Sequence, residues 1–105
     1  MGMSVLTFPM SPLHVLELIQ QAAQAGRIVY PTFEQAAGWY AMVTRRQIQK
    51  CLREGQLVGN PATDPNGHID FSMSAWCAGL DVRVTGQLQD QGGWYIIVIT
   101  VENVL

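Results

Sequence analysis

The fold of this chain is decided by residues 68–90, which read HIDFSMSAWCAGLDVRVTGQLQD. Apolar and polar residues alternate on both sides of Ala78-Gly79, as they do in strands with one buried and one solvated face. If the chain folds back at Ala78-Gly79, the two apolar sets meet in these pairs: Cys77 with Leu80, Ala75 with Val82, and Met73 with Val84. The stretch therefore predicts a half-buried antiparallel hairpin.

The residues after the hairpin predict one more strand. A turn at residues 90–93 leads into WYIIVITV, residues 94–101, which consists of β-forming residues. Because this run is apolar on both faces, we expect a central strand that is at least partly covered on both sides. In the predicted hairpin, Phe71 lies opposite Gly86, an arrangement in which an aromatic ring covers a strand glycine.

Three helices are predicted before the hairpin. The first begins at Ser11-Pro12, a capping hydroxyl followed by proline at the first helical position, and Gly26 ends it. The capping-box pattern T-x-x-Q occurs twice, from Thr32 and from Thr44, and predicts helices over about 33–42 and 45–54. The residues expected on the buried helix faces are Leu13, Leu16, Ile19 and Ala23, then Phe33, Ala36, Ala37 and Tyr40, then Ile48, Cys51 and Leu52.

The order of these elements predicts an α+β domain. We expect three N-terminal helices on one face of a three- to four-stranded antiparallel sheet, with Leu57-Val58 as a short strand. Residues 1–10 are expected to be a flexible lead-in, in which Val5, Leu6 and Phe8 could form a short edge strand. Residues 11–105 are enough for a single domain.

Composition limits the function classes. The chain has 105 residues and is 49% hydrophobic and 13% charged, with a net charge of -2 and a mean hydropathy of +0.14. The high hydropathy predicts apolar surface that a protein partner or a second copy covers. The negative charge excludes a globally basic nucleic-acid-binding domain. With no signal peptide and no apolar run of ~20 residues, we expect a cytoplasmic protein that does not enter a membrane.

The sequence contains no pattern that calls for a metal or a cofactor. Cys51 and Cys77 are the only cysteines, and both fall on predicted apolar faces, so we expect two buried, reduced thiols. Neither a CxxC pair nor a Cys/His pair with ligand spacing occurs. Gly92-Gly93 lies in a strand turn, and no phosphate-binding glycine loop is present.

Three segments resemble those of a small uncharacterised family within the RelE/BrnT-like group. They are Ile48-x-x-Cys51-Leu52-x-x-Gly55-x-Leu57-Val58, then Ala78-Gly79-Leu80-x-Val82-x-Val84, and finally Ile96 to Val101. The resemblance covers about residues 26–105. It implies a RelE-like fold and a distant relationship to the toxin ribonucleases of toxin–antitoxin pairs.

The chain departs from this family at its polar motif. The family carries His-Ala-x-x-Arg-Met-x-x-Arg-Gly-Ile, which aligns with residues 33–43. Here Phe33 stands at the histidine position, and Ala37 and Ala41 stand at the two arginine positions. The resemblance therefore implies the fold, whereas the residues expected to serve in ribonuclease chemistry are absent.

Candidate residues for nucleic-acid binding lie on the third predicted helix. Arg46, Lys50 and Arg53 are spaced i, i+4 and i+7, so they share one face, and Arg45 lies beside them. Such a face can bind the phosphates of a nucleic acid. The alternative is an ordinary solvated helix face.

The wet face of the hairpin supplies the remaining candidates. Trp76, beside Arg83, could stack on a nucleobase or anchor a protein partner, or it could be an ordinary amphipathic residue near a turn. His68 and Asp70 share this face and could take part in acid–base chemistry, although His68 also follows a turn where a solvated histidine is common. By the predicted register, Arg83 lies opposite Ser74, Thr85 opposite Ser72, and Asp81 opposite Trp76.

Two functional hypotheses follow from the sequence. In the first, the protein is a non-catalytic binding or regulatory module that buries its apolar surface against a protein partner or a second copy. In the second, it is a toxin-like ribonuclease in which His68 and Arg83 are catalytic and the basic helix binds RNA. The missing polar motif, the negative charge and the high hydropathy favour the first.

Overall fold

The chain builds three helices and six strands in the computed structural model, which describes residues 11–40, 42–77 and 79–100, without the side chains of Phe33 and Tyr40. The helices are α1 (Pro12–Gln24), α2 (Phe33–Tyr40) and α3 (Arg45–Glu54). The strands are β1 (Ile28–Val29), β2 (Gln56–Leu57), β3 (Ala62–Thr63), β4 (Ile69–Cys77), β5 (Leu80–Asp90) and β6 (Tyr95–Thr100). The predicted lead-in at residues 1–10, with its candidate strand, lies outside the described residues.

The helices begin where the capping residues predict. The Ser11 side chain accepts a hydrogen bond from the His14 backbone N–H at 3.2 Å, and proline follows at the first helical position. Thr44 and Gln47 form a reciprocal capping box at the start of α3. No helix within the described ranges is long and apolar enough to cross a membrane.

The sheet is larger than predicted and is mixed. Its strand order is β1-β6-β5-β4-β2, and β3 also pairs with β4. The predicted three- to four-stranded antiparallel sheet is therefore wrong, because β1 adds to β6 in parallel. The predicted strand at Leu57-Val58 is shifted by one residue to Gln56–Leu57. Strands of two residues are too short to show an alternating pattern in the sequence.

The predicted hairpin register is confirmed. Cys77 pairs with Leu80, and the pairing continues through Ala75 with Val82 and Met73 with Val84. Gly86 lies opposite Phe71, and a Cβ added at Gly86 would lie 3.2 Å from the Phe71 ring. The aromatic ring therefore covers the strand glycine, and an added methyl group there would crowd it.

The core lies between one face of the sheet and the helices α1 and α3. We call this face the covered face, and its buried residues are Ile69, Phe71, Met73, Cys77, Val82, Val84, Leu88, Ile97 and Ile99. Helix α3 contributes Ile48, Cys51 and Leu52, as predicted. Both cysteines are free and buried, which confirms that expectation.

Two expected core positions are wrong. Leu13 is 67% exposed, because α1 buries the row that contains Val15, Ile19 and Ala22 instead. Ala37 is exposed, because α2 is kinked at Ala36 (φ -133°, ψ 26°) and the kink breaks the 3.6-residue period of the buried face.

Candidate functional site

The opposite face of the hairpin carries the candidate residues of β4 and β5. We call this face, which points away from α1 and α3, the open face. On β4 and β5 its residues are Asp70, Ser72, Ser74, Trp76, Asp81, Arg83, Thr85, Gln87 and Gln89. The predicted pairs of Arg83 with Ser74 and Asp81 with Trp76 are confirmed.

Cross-strand polar contacts hold the middle of the open face. Ser72 Oγ and Thr85 Oγ1 are 3.1 Å apart and share a hydrogen bond. Gln87 Nε2 donates to Asp70 Oδ1 at 2.9 Å, and Gln89 Nε2 donates to Gln87 Oε1 at 2.9 Å. Because these side chains satisfy one another across the strands and along β5, this part of the face is stable in water without a covering element.

Trp76 stands out from this polar surface. Its side chain is 71% exposed, the largest exposed fraction among the big apolar residues that the structure describes. It lies directly opposite Asp81, and Arg83 is the diagonal neighbour two residues further along β5. An exposed indole with a carboxylate on the opposite position and a guanidinium on the diagonal combines apolar area with charges of both signs, a combination typical of binding surfaces.

His68 is held by a carboxylate that the sequence did not single out. Its Nδ1 lies 3.7 Å from Asp64 Oδ2, and its backbone N–H donates to Asp64 Oδ1 at 3.0 Å. Asp64 also accepts from the backbone N–H of Asn66 at 2.8 Å and from Gln87 Nε2 at 3.2 Å. The partner of His68 is thus Asp64 rather than Asp70, and the aspartate orders the turn before β4. The sequence feature that could have identified this contact is the Asp-Pro-Asn-Gly turn pattern at residues 64–67.

His68 and Arg83 lie at different ends of the hairpin. Arg83 pairs with Ser74, which is six residues along the chain from His68. At a rise of about 3.3 Å per residue, the two positions are separated by about 20 Å. The structure therefore puts both residues on one face, yet it does not bring them to a common point.

The basic residues of α3 divide into two groups. The Arg45 guanidinium lies over the Tyr30 ring, 4.4 Å from its centroid, and Gln49 Nε2 donates to Tyr30 Oη at 3.1 Å. Arg46, Lys50 and Arg53, which we call the basic stripe, are exposed. Arg45 is also exposed, but it links α3 to the residue that follows β1, whereas the basic stripe makes no such contact among the described residues.

The basic stripe and the open face point in opposite directions. Helix α3 packs on the covered face through Ile48, Cys51 and Leu52, and the basic stripe is on the opposite side of the helix. The whole thickness of the sheet and the helix layer separates it from His68 and Arg83. The candidate phosphate-binding residues and the candidate catalytic residues therefore belong to two different surfaces.

The buried cysteines do not offer a nucleophile. Burial, together with the neighbouring Cys77, raises the pKa of the Cys51 thiol to about 12. The Cys51 Sγ–H donates to the Val82 carbonyl oxygen at 3.6 Å. A thiol that stays protonated inside the core is inert. Within the described residues, no group of three or more His, Cys, Asp and Glu side chains could hold a metal ion.

A shallow depression lies at the β1 edge of the sheet. Its volume is about 380 Å³, and it is lined by Val29, Tyr30, Pro31, Gln35, Val98, Ile99 and Thr100. No lining residue carries a carboxylate, an imidazole or an ammonium group. Its polar groups are the Tyr30 and Thr100 hydroxyls and the Gln35 amide, and the rest of the lining is apolar.

Comparison of the chain with protein-family models, with curated proteins and with solved structures found no match in any of the three. The fold and the two surfaces described above are accordingly the basis for assigning a function.

Proposed function

We propose that this protein is a non-catalytic binding module that engages a protein partner through its open face. The observation that carries the proposal is the asymmetry of the sheet: α1 and α3 pack on one face, and the other bears Trp76, 71% exposed. Tryptophan and arginine are over-represented among the residues that dominate binding energy at protein interfaces. Trp76, with Asp81 and Arg83 beside it, would be the anchor.

The edges of the sheet favour a partner on a face rather than at an edge. On one side, β1 pairs with only two residues of β6, and Pro31, which has no backbone N–H, follows shortly after it. On the other side, β2 and β3 pair with two residues of β4 each. Short edge strands and proline discourage the addition of a further strand. The β6 strand is paired with β5 along its whole length and with β1 over Ile97 and Val98.

Among the residues that the structure describes, the two candidate catalytic side chains do not converge, which supports a non-catalytic role. A general acid or base must lie within hydrogen-bond reach of the proton that it transfers. His68 is held in the Asp64 turn, about 20 Å along the strands from Arg83. The ribonuclease alternative therefore remains a sequence-based prediction without a supporting contact between its two candidate catalytic residues.

The RelE-like relationship and the cytoplasmic location are further parts of this proposal. Support for the relationship comes from the order of the elements, in which helices precede a β-hairpin and a final strand of β-branched residues. The absence of the family's histidine and arginines at residues 33, 37 and 41 agrees with a member that binds without cleaving. A regulatory or interaction subunit is the role that fits both observations.

The test is affinity capture from the native cells with matched baits. Wild type and Trp76→Ala are compared with Trp94→Ala, which removes another exposed indole, in the β5–β6 turn at the far end of the hairpin. We expect a protein that wild type and Trp94→Ala retain and that Trp76→Ala loses. Purified partner should then bind Trp76→Ala at least about tenfold more weakly by calorimetry. Equal retention by all three baits would contradict the proposal.

A further inference from the structure

The charge of this protein is strongly segregated. Four of its six Lys and Arg residues lie on α3: Arg45, Arg46, Lys50 and Arg53. With the single carboxylate of Glu54, these four cations give α3 a net charge of +3. Two cations and seven carboxylates give the rest of the chain a net charge of -5. A weakly acidic protein thus presents one strongly basic element.

Three of the four cations are not used inside the fold. Arg45 stacks on Tyr30, whereas Arg46, Lys50 and Arg53 make no hydrogen bond, ion pair or ring contact with any residue that the structure describes. They project from the side of α3 opposite Ile48 and Leu52, over about 10 Å of helix axis. The basic stripe is therefore a straight row of unneutralised charges.

Helix stability does not explain this placement. The first turn of α3 contains no acidic residue, and Arg46 occupies it. Cations at a helix N-terminus are opposed by the helix dipole, which favours carboxylates there. Only Arg53, in the last turn, lies where the dipole favours a cation. A row of cations that begins at the unfavourable end of the helix is better explained by what it binds.

We propose that the basic stripe is a second interaction surface, which binds an acidic peptide segment of a protein. Its three cations match a run of carboxylates spaced along an extended or helical segment. The site does not depend on the open-face proposal, because it lies on the other side of the sheet and uses none of the same residues. It would let the module join two protein segments at once.

Two observations favour a peptide over a nucleic acid. The net charge of -5 on the remainder of the chain repels a long polyanion wherever it extends beyond the stripe. Binding of single-stranded nucleic acid also relies on exposed aromatic rings beside the cations. Among the described side chains, the exposed indoles are Trp76, on the open face, and Trp94, in the β5–β6 turn, and neither belongs to α3. The Tyr30 ring beside α3 is half-buried and is already in contact with Arg45 and Gln49.

The experiment uses the full chain and a fluorescein-labelled synthetic peptide of about twelve residues, half of them Glu, read by anisotropy at low and at ~0.15 M salt. The variant is Arg46→Gln/Lys50→Gln. The matched control is Arg83→Gln, which removes a cation from the open face. A peptide with Gln in place of Glu and a single-stranded RNA of equal charge are the comparison probes. Thermal melting by circular dichroism checks that each variant is folded.

We expect the double variant to bind the acidic peptide at least about tenfold more weakly, with a shallower salt dependence, and Arg83→Gln to bind as wild type does. The neutral peptide should not bind. Equal binding by both variants, or no binding at low salt, would overturn the proposal. Tighter binding of the RNA through Arg46 and Lys50 would replace it with a nucleic-acid surface. Trp76→Ala should leave peptide binding unchanged, so failure of this proposal is distinguishable from failure of the open-face proposal.

Discussion

The covered face and the open face of the hairpin use neighbouring residues for different purposes. Leu88 is completely buried against the helices, whereas Gln87, the preceding residue on the same strand, is half-buried and bonds to Asp64 and Asp70. Alternation along a strand therefore lets one backbone carry the core on one side and a binding surface on the other. It follows that substitutions one residue apart should separate stability from binding.

The largest expected effect comes from Leu88→Ala. Removing a fully buried leucine leaves a cavity between the sheet and the helices, and we expect the free energy of unfolding to fall by about 2–5 kcal/mol. Gln87→Ala breaks three side-chain hydrogen bonds at a partly solvated site and should lower it by only about 0.5–1.5 kcal/mol. Urea denaturation monitored by circular dichroism measures both. Similar losses for the two variants would mean that the faces do not differ as described.

The second-largest expected loss of stability comes from Gly55→Ala, which tests the close contact between α3 and the sheet. A Cβ added at Gly55 would lie 2.5 Å from the backbone oxygens of both Cys51 and Ser74. Neither oxygen can move alone, because one belongs to α3 and the other to β4. We expect Gly55→Ala to destabilise the protein by about 1–3 kcal/mol.

The matched control for this substitution is Gly38→Ala. Gly38 lies in α2 with nothing within 4 Å of an added Cβ. Alanine is the better helix former, so this variant should gain up to about 1 kcal/mol. If Gly55→Ala were as stable as wild type in the same urea titration, α3 would not be packed this tightly on β4.

The third effect is a pH dependence that originates on the covered face. Burial raises the pKa of Cys51 from 9.0 to about 12, so the folded protein keeps a proton that the unfolded chain loses above pH 9. This contribution to stability is complete below pH 9 and is lost as the pH rises from about 9 to 12. We expect the melting temperature to fall over this window.

The control for the pH dependence is Cys51→Ala. This variant is less stable at neutral pH because of its cavity, but its melting temperature should fall less steeply above pH 9. The open face has no thiol and should contribute nothing to this difference. Parallel curves for wild type and Cys51→Ala would show that Cys51 titrates normally and is not buried in solution.

How much of this structure the sequence predicts depends on the length of each element. The nine-residue alternation in β4 fixes its register against β5, including Phe71 opposite Gly86. The two-residue strands β1 and β3 contain no period, and the parallel pairing of β1 with β6 is set by packing between distant parts of the chain. Boundaries marked by caps, at Ser11 and Thr44, are predicted correctly because capping is local.

The candidate functional residues also divide into those that a local sequence pattern places and those that only distant contacts place. Alternation puts Trp76 and Arg83 on one face, and the helical period puts Arg46 and Lys50 on another. The stacking of Arg45 on Tyr30 joins residues 15 positions apart, and no local pattern encodes it. The bond from Gln87 to Asp64 is equally non-local, and for this reason Asp64 was missed as the partner of His68.

The smallest expected effect on stability comes from Trp76→Ala, and its size separates the kinds of partner. In an isolated monomer, an indole that is 71% exposed contributes little, so the free energy of unfolding should change by less than about 0.5 kcal/mol. If two copies bury their open faces against each other, the loss should be larger and should grow with protein concentration, because association stabilises the folded state by mass action. Denaturation and light scattering, each at two concentrations, measure this directly.

A small, concentration-independent change with a monomeric mass would exclude self-association through Trp76 and leave a different protein as the partner. A concentration-dependent loss would make a second copy the partner, because only the folded, paired state covers the indole.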